Sequence, residues 1–305
     1  MNDETLEKYM KAGEIAATAR DKGLDLIRAD ESYLRVVETV EEEIKHHNAF
    51  PAFPTNIAIN HVAAHFTPLS DDSGVFRPGD LVKLDVGAHV DGYIADTAVT
   101  KEVETEKHLD LIQASSDALE KAITMMKPGI SLGSIGSIVE QIITNQGFVP
   151  IENLTGHSLQ RFRLHAGMSI PSISTMNIRR KPKVDDAIAI EPFATTGAGR
   201  VISQGSSNIY IISQAFHPKT IRDRRSRQQL DILKRSYHSL PFSGRWCEEK
   251  MSHAQLRLKR LTHLGLLHHY PQLIEQNNGL VSQKEHTVIV TGDGCQVTTY
   301  GKHER

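Results

Sequence analysis

Residues 81–100, LVKLDVGAHVDGYIADTAVT, contain the clearest structural signal in the chain. Apolar residues alternate with other residues on both sides of Asp91 and Gly92, and an Asp-Gly pair is typical of a two-residue hairpin turn. The stretch therefore predicts two antiparallel strands joined at this turn, with Val90 paired with Tyr93.

The predicted register brings two aspartates together. Asp85 lies opposite Ala98, and Asp96 is then the diagonal neighbour of Asp85 on the same face of the hairpin. We expect both carboxylates to point to one spot, provided that no bulge at Gly87 or Gly92 changes the register.

These aspartates need a positively charged partner. Aspartate is depleted in strands, and an ionised carboxylate between Leu84 and Val86 is costly to desolvate without a partner. For Asp85 and Asp96 alone, two explanations remain open: structural ion pairs with lysine or arginine, or binding of a metal ion.

Three further segments favour the metal. Glu191 in AIAIEPFAT and Glu285 in QKEHTVIV each border an apolar run, and His157 follows Thr155-Gly156 in a predicted loop. Four carboxylates that converge without counter-charge repel one another, whereas two divalent cations neutralise all four charges. The sequence therefore predicts a binuclear metal site with the ligands Asp85, Asp96, His157, Glu191 and Glu285.

The composition indicates a globular protein without a strong overall charge. The chain has 305 residues, of which 39% are hydrophobic, enough for one large domain or two ordinary ones. Lys plus Arg number 35 and Asp plus Glu number 37, which gives a net charge of -2. We therefore expect neither specific nucleic-acid binding nor attraction to an acidic membrane.

Cysteine content and the N-terminal residues predict a cytoplasmic location. Cys247 and Cys295 do not make a disulfide framework, and the polar start MNDETLEKYM lacks an apolar signal core. No apolar run approaches the roughly 20 residues that span a bilayer.

The periodicity of apolar residues predicts an α+β fold, in which helices cover the outer face of a mainly antiparallel sheet. The predicted helices cover 4–21, 31–47, 107–126 and 132–146, and short β segments are expected near 164–170, 187–194, 200–211, 286–291 and 295–300.

A compositional change predicts an insertion. From about Ala215 to Tyr270 the sequence is basic and helical, without β alternation. We therefore predict a core of residues 1–214 and 276–305 and a helical subdomain of residues 215–275. The cluster from Arg222 to Arg227 has two open interpretations, contact with ribosomal RNA or a solvated helix end.

Several motifs in this order resemble the methionine aminopeptidases of the second type, the archaeal and eukaryotic branch of the creatinase-like metallopeptidases. The motifs are PAFPTNIAINHVAAHFTP, KLDVGAHVDGYIADTAVT, NLTGHSLQRFRLHAG, AIEPFATTGAG and EHTVIV, and the resemblance runs from about Lys8 to His286. It implies the family's pita-bread fold, a curved sheet with outer helices, together with the helical insertion.

The resemblance assigns roles to individual residues. The family's metal ligands fall on the five residues predicted above, and its catalytic histidines fall on His65 and His165, which context alone leaves open as core histidines. Glu191 is also expected to shuttle a proton. Phe53, Phe193 and Tyr270 fall where the family binds the methionine side chain, although a surface tyrosine at a helix end is the alternative for Tyr270.

The implied activity is removal of the N-terminal methionine from nascent polypeptides when the second residue is small. Two divalent metal ions, Co, Mn, Fe or Zn, are implied as cofactors. The resemblance also allows transient ribosome association, and we expect a monomer that does not bind a membrane. Two alternatives remain, a prolidase-like X-Pro peptidase and a non-catalytic binding module on the same fold. One residue departs from the family pattern, since Lys284 stands where Phe usually precedes the last glutamate.

Overall fold

The fold is described here by a computed structural model for residues 1–175, 178, 180–213, 223–302 and 304. Within these ranges there are six α-helices and sixteen strands. The helices are α1 (Asp3–Leu26), α2 (Tyr33–His46), α3 (Leu109–Met125), α4 (Leu132–Asn145), α5 (Arg224–Tyr237) and α6 (Ala254–His263), with a 3-10 helix at Arg245–Cys247. The strands are β1 (Phe50–Pro51), β2 (Asn56–Ile59), β3 (Val62–Ala64), β4 (Leu81–Val90), β5 (Tyr93–Glu102), β6 (Val149–Pro150), β7 (Thr155–Leu159), β8 (Ser169–Pro171), β9 (Ala187–Ile190), β10 (Phe193–Thr195), β11 (Val201–Ile212), β12 (Phe242–Ser243), β13 (Leu267–Glu275), β14 (Val281–Gln283), β15 (His286–Val290) and β16 (Cys295–Val297).

The β4–β5 hairpin has the predicted register. Val90 pairs with Tyr93, Asp85 with Ala98 and Gly87 with Asp96, and the ten pairs run without a bulge. No bulge at Gly87 or Gly92 changes the register. Asp85 and Asp96 therefore lie on the same face of the hairpin, as predicted.

The first helix pair covers the sheet that contains this hairpin. The side chain of Asn2 caps α1 by accepting a hydrogen bond from Thr5 N, and Ser32 caps α2 through Arg35 N. The apolar faces of α1 and α2 pack with β4 and β5 in a core that includes Ala16, Val40 and Leu84. This layer fixes the back of the hairpin, on the side away from the two aspartates.

The second helix pair covers a five-stranded antiparallel sheet with the strand order β16-β15-β9-β7-β8. Residues of α3 and α4 such as Leu119 and Ile135 pack with Ile188 of β9 and Val288 of β15. Two helix pairs on antiparallel strands confirm the predicted α+β class. None of the described helices is both long and apolar enough to cross a bilayer.

Some strand boundaries differ from the prediction. The β segment expected over 164–170 is limited to β8, because Phe162 and Gly167 take positive φ angles of 54° and 92° and turn the preceding chain into a loop. The segment expected over 187–194 is divided at Glu191-Pro192, since proline has no N–H to continue a ladder. The last segment ends at Val297.

The helical prediction for 215–270 is wrong at its C-terminal end. Residues 267–275 form strand β13, which pairs with β11 and β3, and the short strand β12 lies between α5 and α6. Alternation is hidden in β13 because most of its residues are half-buried on both faces and Pro271 lies at a register shift opposite Ser206. Residues 215–222 of the predicted insertion, including Arg222, lie outside the described residues.

The described part of the inserted segment has an apolar cluster of its own. Leu233 of α5, Phe242 of β12 and Leu258 of α6 pack against Tyr210 and Leu267 at the ends of β11 and β13. The division of the chain at 214 and 276 stays a prediction.

A buried ion pair connects α2 to the inserted segment. Glu41 is 3% exposed and accepts hydrogen bonds from Arg245 Nη2 at 3.1 Å and from Trp246 Nε1 at 2.7 Å. We expect Glu41→Ala to lower the free energy of unfolding by about 3–5 kcal/mol, because Arg245 is left buried without its counter-charge. Urea unfolding tests this, with the exposed neighbour Glu42→Ala as a control that should change it by less than about 0.5 kcal/mol. An equal, small effect of both substitutions would contradict the assignment.

Candidate metal centre

Every site residue predicted from the sequence lines one cavity of about 370 Å³. The residues come from strands and loops of different sheets, and only the folded chain brings them together. They are Phe53, His65, Asp85, Asp96, His157, His165, Glu191, Phe193, Tyr270 and Glu285.

Both glutamates of the site lie in short gaps between strands. Glu191 precedes Pro192 in the gap between β9 and β10, and Glu285 lies between β14 and β15. The backbone of Glu285 forms an isolated bridge with Ala98, the residue that faces Asp85 in the hairpin. The bridge carries the Glu285 carboxylate to the same side as the hairpin aspartates.

His157 belongs to a strand and not to a loop, so that expectation was wrong. It lies in β7, paired with Ala189 of β9 and Ser169 of β8. The preceding Gly156 had suggested a loop, but here glycine permits a close approach, since a Cβ at this position would lie 2.4 Å from the carbonyl oxygen of Ala189.

The ligand atoms of the cluster lie within the range that a metal ion can bridge. Single ligand atoms of Asp96, His157 and Glu285 are all within 4.8 Å of one another. His157 Nε2 is 3.7 Å from Asp96 Oδ2 and 3.6 Å from Glu191 Oε1. The structure therefore places an imidazole nitrogen and three carboxylates around one point.

Burial raises the pKa of all four carboxyl groups. It raises the pKa of Asp85 to about 7. The pKa values of Asp96, Glu191 and Glu285 lie well above their ordinary values, first because of burial and then because neighbouring carboxylates repel their charge. Without a cation, this arrangement favours protonated carboxyl groups over four negatively charged carboxylates.

The residues fit a divalent cation. Asp85 Oδ1, Asp96 Oδ1 and Glu285 Oε1 are buried and have no hydrogen-bond partner in the described structure. Among the described residues no lysine or arginine lines the cavity, which rules out the structural ion pairs that the sequence had left open. Buried carboxylate oxygens with one imidazole form a suitable donor set for Mn, Fe, Co or Zn.

Burial keeps the cavity histidines neutral. It lowers the pKa of His157 to about 3, with a smaller contribution from the charge of His165, and it lowers the pKa of His65 to about 4. The pKa of His165 is also lowered by burial. A neutral imidazole has a lone pair available to bind a metal or to accept a proton.

His65 and His165 each pack against a different aromatic ring of the cavity. The His165 ring packs edge-on against His157, with ring centroids 4.3 Å apart. His65 has a φ angle of 62°, its Nδ1 has no partner, and its ring lies 5.3 Å from that of Tyr270. A backbone held in this sparsely populated region indicates that surrounding contacts fix the direction of the His65 side chain.

The apolar part of the cavity contains the predicted aromatic residues. Phe53 packs on the hairpin at Gly87, where a Cβ would lie 2.2 Å from the phenyl ring. Phe193 is buried in β10. Tyr270 lies on β13 and is half-buried against His65, so the alternative of a surface tyrosine at a helix end is wrong.

Several residues that line the cavity were not predicted from the sequence. Asn56 of β2 is paired directly with Asp85, its Nδ2 donates to Pro54 O, and its Oδ1 has no partner. Pro241 reaches the cavity from the inserted segment. Neither carries a local sequence signal, since each is placed by a pairing or a loop distant from the other site residues.

The fold and the cluster define a metal-dependent hydrolase site. The model of metallopeptidase family M24 matches residues 7–291, and the chain belongs to this family. This membership confirms the prediction of a metallopeptidase, an enzyme that hydrolyses peptide bonds.

Known proteins of this family resemble the chain over nearly its full length. It is 42% identical over 296 residues to a methionine aminopeptidase of Pyrococcus abyssi, covering 96% of this chain and 99% of the relative. Other archaeal relatives with 39–43% identity carry the same name.

Solved structures show the pita-bread fold. A methionine aminopeptidase from Thermotoga maritima has a TM-score of 0.71 at 24% identity and 98% coverage of both chains. A prolidase from Pyrococcus furiosus has a TM-score of 0.63 at 20% identity, covering 99% of this chain and 65% of the prolidase. The predicted fold is confirmed, and it is shared by both kinds of peptidase.

Proposed function

We propose that this protein is a methionine aminopeptidase of the second type, which hydrolyses the first peptide bond of nascent polypeptides when the second residue is small. The observation that carries the proposal is one cavity that combines the carboxylate-histidine cluster with an aromatic-lined apolar end. The names of the relatives at about 40% identity support the same substrate class.

The residues suggest how two divalent cations would be held. Asp85 would bind one ion, His157 and Glu191 the other, and Asp96 and Glu285 would bridge both. When bound, such ions would lower the pKa of a water molecule and so supply a nucleophile near neutral pH. The buried oxygens without partners are the groups that support these assignments.

The remaining chemistry is assigned to the side chains of the cavity. Glu191 would accept the proton of the attacking water and pass it to the leaving amine. His165 would donate a hydrogen bond to the scissile carbonyl, and His65 would stabilise the tetrahedral intermediate or the leaving nitrogen. Neutral histidines suit both roles, because each can donate through one ring nitrogen.

The aromatic end of the cavity suits a methionine side chain. An unbranched thioether fills an irregular apolar slot and makes favourable contacts with aromatic rings. Phe53, Phe193 and Tyr270 would form the walls of this slot. The carboxylate cluster at the other end would meet the free amino group of the substrate.

Assignment to the second type rests on the inserted segment. Archaeal relatives named methionine aminopeptidase align with 96–98% of this chain, and the described part of residues 215–275 contributes to an apolar cluster of its own. We infer that the segment completes the wall of the methionine slot and does not bind nucleic acid. A monomer in the cytoplasm, in transient contact with the ribosome, is the setting that such a role predicts.

A comparison of substrates tests the proposed activity. The purified protein, loaded with Mn or Co, is expected to release methionine from Met-Ala-Ser and to leave Met-Pro and Ala-Pro intact. Cleavage of Ala-Pro and Met-Pro without release of methionine from Met-Ala-Ser would support the X-Pro peptidase instead. Metal analysis that finds no bound ion, together with no cleavage of any peptide, would support the non-catalytic binding module.

Tyr270 provides a test of the slot. We expect Tyr270→Ala to lower kcat/KM for methionyl tripeptides by roughly ten- to a hundredfold, because the residue orients the bound side chain. Reversal of the exposed charges at Arg224 and Arg225 serves as the control and should leave tripeptide cleavage unchanged, since exposed charges act weakly through water. If the charge reversals impair cleavage and Tyr270→Ala does not, the basic face of the segment, and not its aromatic edge, serves the site.

A further inference from the structure

A buried arginine lies behind the metal centre and outside the cavity. Arg20 of α1 is 2% exposed, and its guanidinium donates to Thr97 Oγ1 at 2.8 Å and to Glu304 Oε2 at 2.6 Å. It also donates to Asp21 Oδ1 at 2.8 Å. A charge at this depth is costly unless it is paired, so these contacts determine where the neighbouring segments can lie.

Thr97 links Arg20 to the backbone of Glu285, a proposed metal ligand. Its hydroxyl donates to the carbonyl oxygen of Glu285 at 2.9 Å, and Thr97 itself directly follows Asp96. Apart from this contact, the backbone of Glu285 is held by an isolated bridge with Ala98, without a regular strand. The Thr97 hydroxyl therefore ties together the two segments that carry Asp96 and Glu285.

Lys284 connects the segment that carries Glu285 to Glu304. Its ammonium group forms an ion pair with Glu304, the same carboxylate that binds Arg20, and Lys284 is joined to Glu285 by a peptide bond. The charges of Arg20 and Lys284 outweigh burial and lower the pKa of Glu304 to about 2, so this carboxylate is ionised. The lysine that departs from the family pattern thus has a specific partner in this chain.

We propose that Arg20, Thr97, Lys284 and Glu304 form a ring of hydrogen bonds and ion pairs, closed through the backbone of Glu285, that positions the carboxylates of Asp96 and Glu285 for metal binding. None of the four residues lines the cavity, so they act through the ligand segments and not on the substrate. The inference rests on the proposed roles of Asp96 and Glu285. Groups that orient metal ligands typically change metal affinity by about 10–100-fold when they are removed.

Mn²⁺ binding to the full-length protein tests the ring. Metal-free protein is titrated calorimetrically with Mn²⁺ well below its melting temperature, and KM for Met-Ala-Ser is measured at saturating metal. Thr97→Val and Glu304→Gln are each expected to weaken Mn²⁺ binding about 10–100-fold and to leave KM unchanged. Thr97→Ser and Lys284→Arg keep the hydroxyl and the charge and should bind Mn²⁺ like the unmodified protein.

Two controls separate positioning from a general loss of stability. Glu43→Gln breaks the ion pair between α2 and Lys22 of α1 without removing any member of the ring, and should not change Mn²⁺ affinity. Thr97→Val and Glu304→Gln act through one ring. The loss of binding free energy in the double variant should therefore be smaller than the sum of the losses in the two single variants.

Two results would overturn the proposal. One is unchanged Mn²⁺ affinity in Thr97→Val and Glu304→Gln, even if their metal-free forms melt at lower temperature. The other is an unmodified protein that binds none of Mn²⁺, Co²⁺, Fe²⁺ and Zn²⁺, which would also overturn the proposed function. An unmodified protein that binds Mn²⁺ but releases no methionine contradicts only the proposed activity, and the affinities of the variants still decide the role of the ring.

Discussion

Replacing Asp96 or Glu285 with alanine is expected to lower turnover by more than about a hundredfold, because each carboxylate is proposed to bridge two cations and no remaining ligand can replace it. Metal analysis of the purified variants should show fewer bound ions than in the unmodified protein. Asp91→Ala is the matched control, since Asp91 belongs to the same hairpin but is exposed at the turn and pairs with Lys8.

The melting temperatures of the metal-free variants provide a second, independent test of these assignments. Burial and mutual repulsion raise the pKa values of these carboxyl groups, so removing one relieves an unfavourable interaction in the metal-free fold. Asp96→Ala and Glu285→Ala should therefore melt in the presence of a chelator at a temperature no lower than the unmodified protein. Near-normal turnover of either variant at saturating Mn or Co would refute the assignment.

Replacing His65 or His165 is expected to impair catalysis without loss of metal. Neither residue is a proposed ligand, so His65→Ala and His165→Ala should retain two bound ions while kcat falls by about ten- to a thousandfold for a lost hydrogen-bond donor or proton donor. Peptide kinetics and metal stoichiometry are measured on the same preparation. His61→Ala is the control, because His61 lies in the turn before β3 and does not line the cavity.

The metal content of the His165→Ala variant shows whether His157 or His165 is the metal ligand. The His165 ring packs against that of His157, so an incorrect assignment would exchange these two neighbours. If His165→Ala loses metal while His157→Ala retains it, His165 is the ligand. If both variants retain metal and full activity, neither histidine has the proposed role.

Local sequence patterns were sufficient where local pairing decides the structure. The Asp-Gly turn determined the register of β4 and β5, and this register placed Asp85 and Asp96 on one face before any other strand was considered. Glu191 and Glu285 could also be singled out, because each borders an apolar run in the sequence, but the break between β9 and β10 at Glu191-Pro192 was not predicted.

Features that depend on distant parts of the chain were not predictable. Strand β13 shows no alternation because both of its faces are half-covered, and β11 determines its pairing. Asn56 enters the cavity only through its pairing with Asp85. The ring around Arg20 joins α1 to Glu304 at the opposite end of the sequence, and no periodicity or motif connects residues so far apart.

The pairing of β11 with β13 also bears on how the inserted segment could be exchanged. Ile212, the last residue of β11, is the direct partner of Leu267, the first residue of β13, so the chain leaves and re-enters the core at adjacent positions. The entropy of closing such a loop grows slowly with its length, and a hairpin end is a position where insertions are readily accommodated. Ancestral or engineered forms with a longer, shorter or unrelated segment here can therefore keep the pairing of β11 with β13, provided that they replace the contribution of Pro241 to the cavity and also Arg245 and Trp246, the partners of buried Glu41.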